Sequence, residues 1–106
     1  MPDYIQVLVS IDGEDRARDL QRLILEERAA ACVQILGPIS SAYWWEGRIE
    51  EAQEWLCLAK TRRSEYERLE SLVQQNHPYE TPEILAIPVL AGNRKYLEWI
   101  DSETNR

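Results

Sequence analysis

Tyr43-Trp44-Trp45-Glu46-Gly47-Arg48 is the stretch on which the reading of this chain turns. Glu46-Gly47 is a turn signal between two runs of strand character, Ile39 to Trp45 and Ile49 to Thr61. Neighbouring side chains on a strand point to opposite faces, so Trp44 and Trp45 cannot both fill one small core. One indole needs a second covering surface, and in a chain of 106 residues that surface is expected from another subunit. The hairpin arms, residues 40–46 and 48–61, exceed the common strand length of about 5–6 residues. Uncovered edges of that length invite uncontrolled pairing. A closed symmetric oligomer answers both problems.

Upstream, residues 4–11 alternate as a strand, with Ile5, Val7, Val9 and Ile11 on one face. Asp12-Gly13 turns the chain into a helix predicted over 14–28, with Ala17, Leu20, Leu23 and Ile24 at helical spacing. Ala30 to Ile35 suits a buried strand, interrupted at Gly37-Pro38 by a bulge or bend. Downstream of the hairpin, Ser64 and Glu67 form a capping-box pattern for a second helix carrying Tyr66, Leu69, Leu72 and Val73. Asn76 is its predicted end, with Pro78 preventing continuation. Residues 84–90 read as a fourth strand, placed at an edge or broken by Pro88. A terminal helix after Gly92 is expected to turn Tyr96, Leu97 and Ile100 toward the core, and the tail from Asp101 to Arg106 to fray. The order is β-α-β-β-α-β with a C-terminal helix, an α+β, ferredoxin-like pattern in one domain, residues 1–106.

The net charge of -7 at pH 7 argues against nucleic-acid backbone binding. An acidic surface suits a cation, a metal ion or simple solubility. No apolar run approaches the roughly 20 residues of a membrane helix. Met1-Pro2-Asp3-Tyr4 lacks the basic and apolar regions of a secretory signal, so a cytoplasmic location is expected. Cys32 and Cys57 fall out of register in a hairpin turning near Gly47, too far apart for the Cα approach of about 7 Å that a disulfide needs. Free thiols fit a reducing compartment.

The blocks Arg28-Ala29-Ala30-Ala31-Cys32-Val33-Gln34-Ile35, Tyr43-Trp44-Trp45-Glu46-Gly47-Arg48-Ile49, Lys60-Thr61, His77-Pro78-Tyr79-Glu80-Thr81-Pro82-Glu83-Ile84 and Tyr96-Leu97-Glu98-Trp99-Ile100 resemble the CutA family of divalent-cation tolerance proteins. The similarity runs in order along nearly the whole chain. Ala29 stands where that family usually has leucine, and Gln34 where it commonly has asparagine. The resemblance implies a ferredoxin-like homotrimer whose protomers pair through extended strands around a threefold axis, an architecture similar to the PII signalling proteins. It also implies a link to copper and other divalent metals.

His77, the only histidine, directly precedes Pro78 and lies near Tyr79, Glu80 and Glu83 in a segment that carries two prolines. Imidazole and carboxylate bind copper or zinc, and a thiolate such as Cys32 favours Cu(I). The competing reading makes His77 a helix C-cap or an interface hydrogen-bonding group, and Cys32 a small buried hydrophobe. Cys57, between Leu56 and Leu58, reads as core. Tyr43, Trp44 and Trp45 suit a ligand stack or an interface anchor. Lys60 suits an anion or an interfacial carboxylate. Glu50, Glu51 and Glu54 read as a solvated or intersubunit face. No P-loop, dinucleotide-binding turn or G-x-S-x-G is present. The first turn, Asp12-Gly13-Glu14-Asp15, would repel phosphate, against an acylphosphatase-like enzyme. The expectation is therefore a cytoplasmic, non-enzymatic CutA-type trimer in the response to divalent metal ions, with His77 and Cys32 as the copper-ligand candidates. The alternative is a PII-like signalling trimer that binds a small ligand at subunit clefts and a protein partner.

Overall fold

The structure, a computed structural model, describes residues 3–105; Met1 and Pro2 of the start, and Arg106 of the tail expected to fray, lie outside them. Strand β1 (Tyr4–Ile11) is followed by helix α1 (Glu14–Glu26), β2 (Cys32–Trp45), β3 (Arg48–Arg62), α2 (Tyr66–Asn76), β4 (Ile84–Pro88) and α3 (Arg94–Glu103). The sheet is antiparallel in the order β2-β3-β1-β4. This is the expected βαββαβ arrangement with a long hairpin and an added helix.

One sheet face carries Ile5, Val7, Val9, Ile11, Val33, Cys57 and Ala59, all buried. Against it pack Ala17, Leu20 and Ile24 of α1 and Leu69 and Val73 of α2. Period-two alternation on the strands and helical spacing on α1 and α2 meet here. Residues directly opposite in register share a face. Leu8 therefore lies beside Leu58 and Leu85, Leu56 beside Leu36, and Ile87 beside Gln6, all on the other face. Leu36, Leu85 and Ile87 remain exposed there. Helix α3 crosses only one end of this open face, where the Tyr4 hydroxyl donates to Asp101 Oδ2 at 2.6 Å.

The hairpin is interrupted once. Between Leu36 and Ile39 β2 carries one residue more than β3, a bulge at the cis Gly37-Pro38 peptide. Beyond it the arms run to a turn in which Glu46 and Gly47 both have positive φ. The molecule is correspondingly long, 44 × 26 × 22 Å. Cys32 pairs with Lys60, and Cys57 with Ile35, so the register holds the two thiols apart.

Several boundaries differ from expectation. Helix α1 stops at Glu26, two residues early. Ala29 N–H bonds Ile24 O and Arg28 N–H bonds Leu25 O, a Schellman closure. Arg28 takes the left-handed position with φ 56, where glycine is usual. Strand β4 ends at Pro88 rather than residue 90. Ser64 does not cap α2. It lies in a 3-10 turn, Arg63–Glu65, and Glu65 stands at the N-cap position with no side-chain cap bond. The Glu65 carboxylate is buried with Arg68 Nε at 3.4 Å and Arg62 Nη2 at 3.6 Å, and this anchoring sets the turn. In α3 only Ile100 is buried, while Tyr96 stays exposed beside Trp99. Most of the tail does not fray. Thr104 is fully buried, its hydroxyl donates to Ile100 O at 2.7 Å, and its carbonyl accepts from Arg62 at 2.9 Å.

Candidate functional site

Pro78 and Pro82 restrict the loop after α2, and side chains fasten it to the sheet. The His77 ring is buried, and its Nε2 lies 2.7 Å from Ser10 O. A carbonyl only accepts, so Nε2 carries the proton. Nδ1 then accepts the Tyr79 N–H at 3.1 Å. The two rings meet edge to face, centroids 4.6 Å apart. The Tyr79 hydroxyl donates to Glu54 Oε2 at 2.8 Å, and the Ser10 hydroxyl lies 3.4 Å from Glu83 Oε1. Burial pushes the Tyr79 hydroxyl above its ordinary range, followed by the hydrogen bond to Glu54 and the charge of that carboxylate.

Glu54 corrects the reading of a solvated acidic face. It is 6% exposed, whereas Glu51 is exposed and Glu50 half-buried. Glu54 and Ser10 were missed as site residues. The available signal was alternation, since Glu54 falls on the same face of β3 as Leu56 and Leu58.

His77 and Cys32 are not brought together. The imidazole meets Ser10, whose cross-strand partner is Leu56, while Cys32 is opposite Lys60 on the outer strand. Four residues of β3 separate those levels, about 13 Å of strand. His77 stands at the C-cap position of α2, as the competing reading has it, while both ring nitrogens are engaged by backbone groups of the same chain and offer no free lone pair. Cys32 is half-buried beside Tyr96, whose hydroxyl is shifted upward by burial first and then by Cys32. Among the described residues no group of three or more His, Cys, Asp or Glu side chains could hold a metal ion.

Lys60 Nζ donates to Gln34 Oε1 across the hairpin, not to a carboxylate. Glu80 is exposed and makes no side-chain bond among the described residues. Tyr43 shares a hairpin face with Trp45, and Trp44 faces the other way opposite Ile49. Their exposures, 44% for Tyr43, 73% for Trp44 and 49% for Trp45, place all three outside the core.

The family model described as CutA1 divalent ion tolerance protein matches residues 5–103. The divalent-cation tolerance protein CutA of Thermus thermophilus is 42% identical over 98 residues, covering 92% of this chain and 95% of that protein. The chloroplastic CutA 1 protein of Oryza sativa is 41% identical over 94% of this chain, which spans only 56% of that longer protein. Among solved structures, Oryza sativa CutA1 superposes with a TM-score of 0.95 at 39% identity, covering 98% of this chain and 95% of the other. A CutA from Archaeoglobus fulgidus, described as periplasmic, superposes with a TM-score of 0.94 at 35% identity, covering 96% and 99%. The hairpin, the proline-bounded loop and these matches along nearly the whole chain lead to one conclusion: the chain belongs to the CutA1 family of divalent ion tolerance proteins.

Proposed function

We propose that this chain acts as a homotrimer in the response to divalent metal ions, in the cytoplasm and without catalytic chemistry of its own. The observation that carries the assembly is the apolar surface left on one protomer. Trp44 is 73% and Ile49 62% exposed on the hairpin, and Leu36, Leu85 and Ile87 are exposed on the open sheet face. Exposed apolar surface on both sides of the hairpin and on the open sheet face marks interaction sites, and the length of the hairpin suits pairing between protomers. The metal role is supported by the family description. The reducing compartment is supported by two unpaired thiols.

Because the described residues of one chain gather no metal-ligating cluster, copper is expected to bind with modest affinity, using single donors of neighbouring protomers. Cys32 and His77 act as separate donors, the latter only by exchanging the Tyr79 N–H for the ion. Sedimentation equilibrium at micromolar concentration tests the trimer, and a stable monomer would overturn it. Calorimetric copper titration of the parent, Cys32→Ser, His77→Ala and Cys57→Ser tests the donors. Weaker binding is expected for the first two variants and none of this loss for buried Cys57. Unchanged affinity in both Cys32→Ser and His77→Ala would point to diffuse carboxylate association instead.

A further inference from the structure

On the helical side of the sheet, away from the open face, α1 and the end of α2 leave a cavity of about 570 Å³. That lies within the volume range of small-molecule sites, about 300–1,000 Å³. Its floor is apolar, formed by Ile11, Leu20 and Leu23. Its rim is rich in acceptors. Asp19 lines it and has no hydrogen-bond or ion-pair partner among the described residues. Gln75 and Asn76 each give one N–H to Ser71 Oγ and Leu72 O, and their amide oxygens accept from no group among the described residues. The last turn of α2 carries no basic residue, so the negative end of its dipole is uncompensated there. Among the described residues Arg16 is the one cation lining the cavity, and Asp12 holds it at 3.0 Å. The His77 ring closing one side is neutral in the hydrogen-bonding pattern described above.

We propose that this cavity binds a small organic cation, an alkyl or aryl body carrying a protonated amine. The body lies on Ile11, Leu20 and Leu23, and the ammonium group sits between Asp19 and the end of α2. The geometry favours this class over an anion, which would meet Asp19 and the helix carbonyls, and over a neutral apolar ligand, which would gain no ion pair with Asp19. The site lies on the helical side of the sheet, away from the apolar surface of the trimer reading; it shares His77 with the metal reading, and the Asp19 variant, which leaves His77 in place, separates the two.

The test titrates the full-length protein, isotopically labelled, with n-hexylammonium, n-hexanol and hexanoate at constant ionic strength. Amide shifts are followed by two-dimensional NMR. Hexylammonium is expected to bind saturably and to move the amides of Leu20, Leu23 and Asn76 most. Asp19→Asn should weaken it about fivefold, the scale of one partly exposed ion pair. Asp15→Asn, on the same helix but outside the cavity, should leave the affinity unchanged. Both substitutions sit at exposed helix positions, where folding tolerates the change. Equal affinity for hexanol would overturn the charge argument. Equal losses in the two variants, or shifts spread over the acidic surface, would overturn the site itself.

Discussion

Removing one oxygen, in Tyr79→Phe, takes from the buried Glu54 carboxylate its only hydrogen-bond donor among the described residues. A buried acceptor left unpaired costs about 1–3 kcal/mol, so urea unfolding should show a loss of that size. Parent-like stability in Tyr79→Phe would show that water satisfies Glu54. A second residue-scale outcome concerns pH. Burial pushes the Cys57 thiol up to about 11 from an ordinary value of 9.0. Between those values the unfolded chain releases a proton that the native state retains, so stability falls as pH rises. The contribution is fully present below pH 9.0 and lost by about pH 11, at most about 2–3 kcal/mol in all. Tyr79 titrates upward of its usual range as well, so the comparison must isolate the thiol. Cys57→Ala should unfold with a shallower loss between pH 9 and 11 than the parent, and equal slopes would sink the assignment. His77 and Tyr79 were legible in the sequence because a lone histidine at the head of a segment with two prolines reads as a constrained polar loop. Their partners were not. Ser10 and Glu54 lie 67 and 25 residues from the side chains they meet, and Glu54 sits among acidic neighbours that suggested solvent.

At the bulge, Trp55 explains why residue 37 is glycine. A Cβ built on Gly37 would fall 2.2 Å from Trp55 Cδ1 and 2.6 Å from Cγ, so the indole would have to move. Overpacking of this kind costs about 1–3 kcal/mol, and Gly37→Ala should lose that much in urea unfolding. Trp55 fluorescence should shift at the same time, since the ring packs against the core from β3. An unshifted spectrum and unchanged midpoint would mean the strand slides aside without cost. The bulge itself was readable, because Gly-Pro inside a strand run breaks the ladder. Helix and strand order were equally readable, because their apolar periods differ. The element ends were not. Ser64 matches a capping box, yet the buried Glu65 carboxylate between Arg62 and Arg68 outweighs one cap bond and delays α2. The polar tail promised fraying, yet Arg28 Nη1 reaches Glu103 O at 3.0 Å and Arg62 reaches Thr104 O. Long-range contacts to carbonyls leave no periodic trace in a sequence.

Over the whole molecule, the two hairpin tryptophans, Trp44 and Trp45, are where the proposed trimer can be tested. A protomer has two uncovered apolar regions, the open sheet face and the hairpin end, and Tyr43 and Trp45 lie on the same side as the open face. Trp44 and Ile49 form a cross-strand pair on the opposite side of the hairpin. An assembly that covered only the sheet face would leave Trp44 in water, whereas one in which hairpins lie between neighbours covers both sides. Such a contact is heterologous, running from one copy to the next, and closes a ring only when the rotation returns to the first copy. Closure also hides the outer edge of β2, which the sheet order leaves unpaired within one chain. Losing a buried aromatic costs about 3–5 kcal/mol, so replacing both indoles by alanine should shift a micromolar trimer toward monomer in sedimentation equilibrium. The single variants separate the two sides. If only the open face is covered, Trp45→Ala should weaken assembly and Trp44→Ala should not. If hairpins lie between neighbours, both single variants should weaken it, and the double variant should lose the trimer at concentrations where each single variant retains it. A double variant as trimeric and as heat-stable as the parent would show that the indoles are not the anchors, and the open leucine face would then have to carry the contact alone.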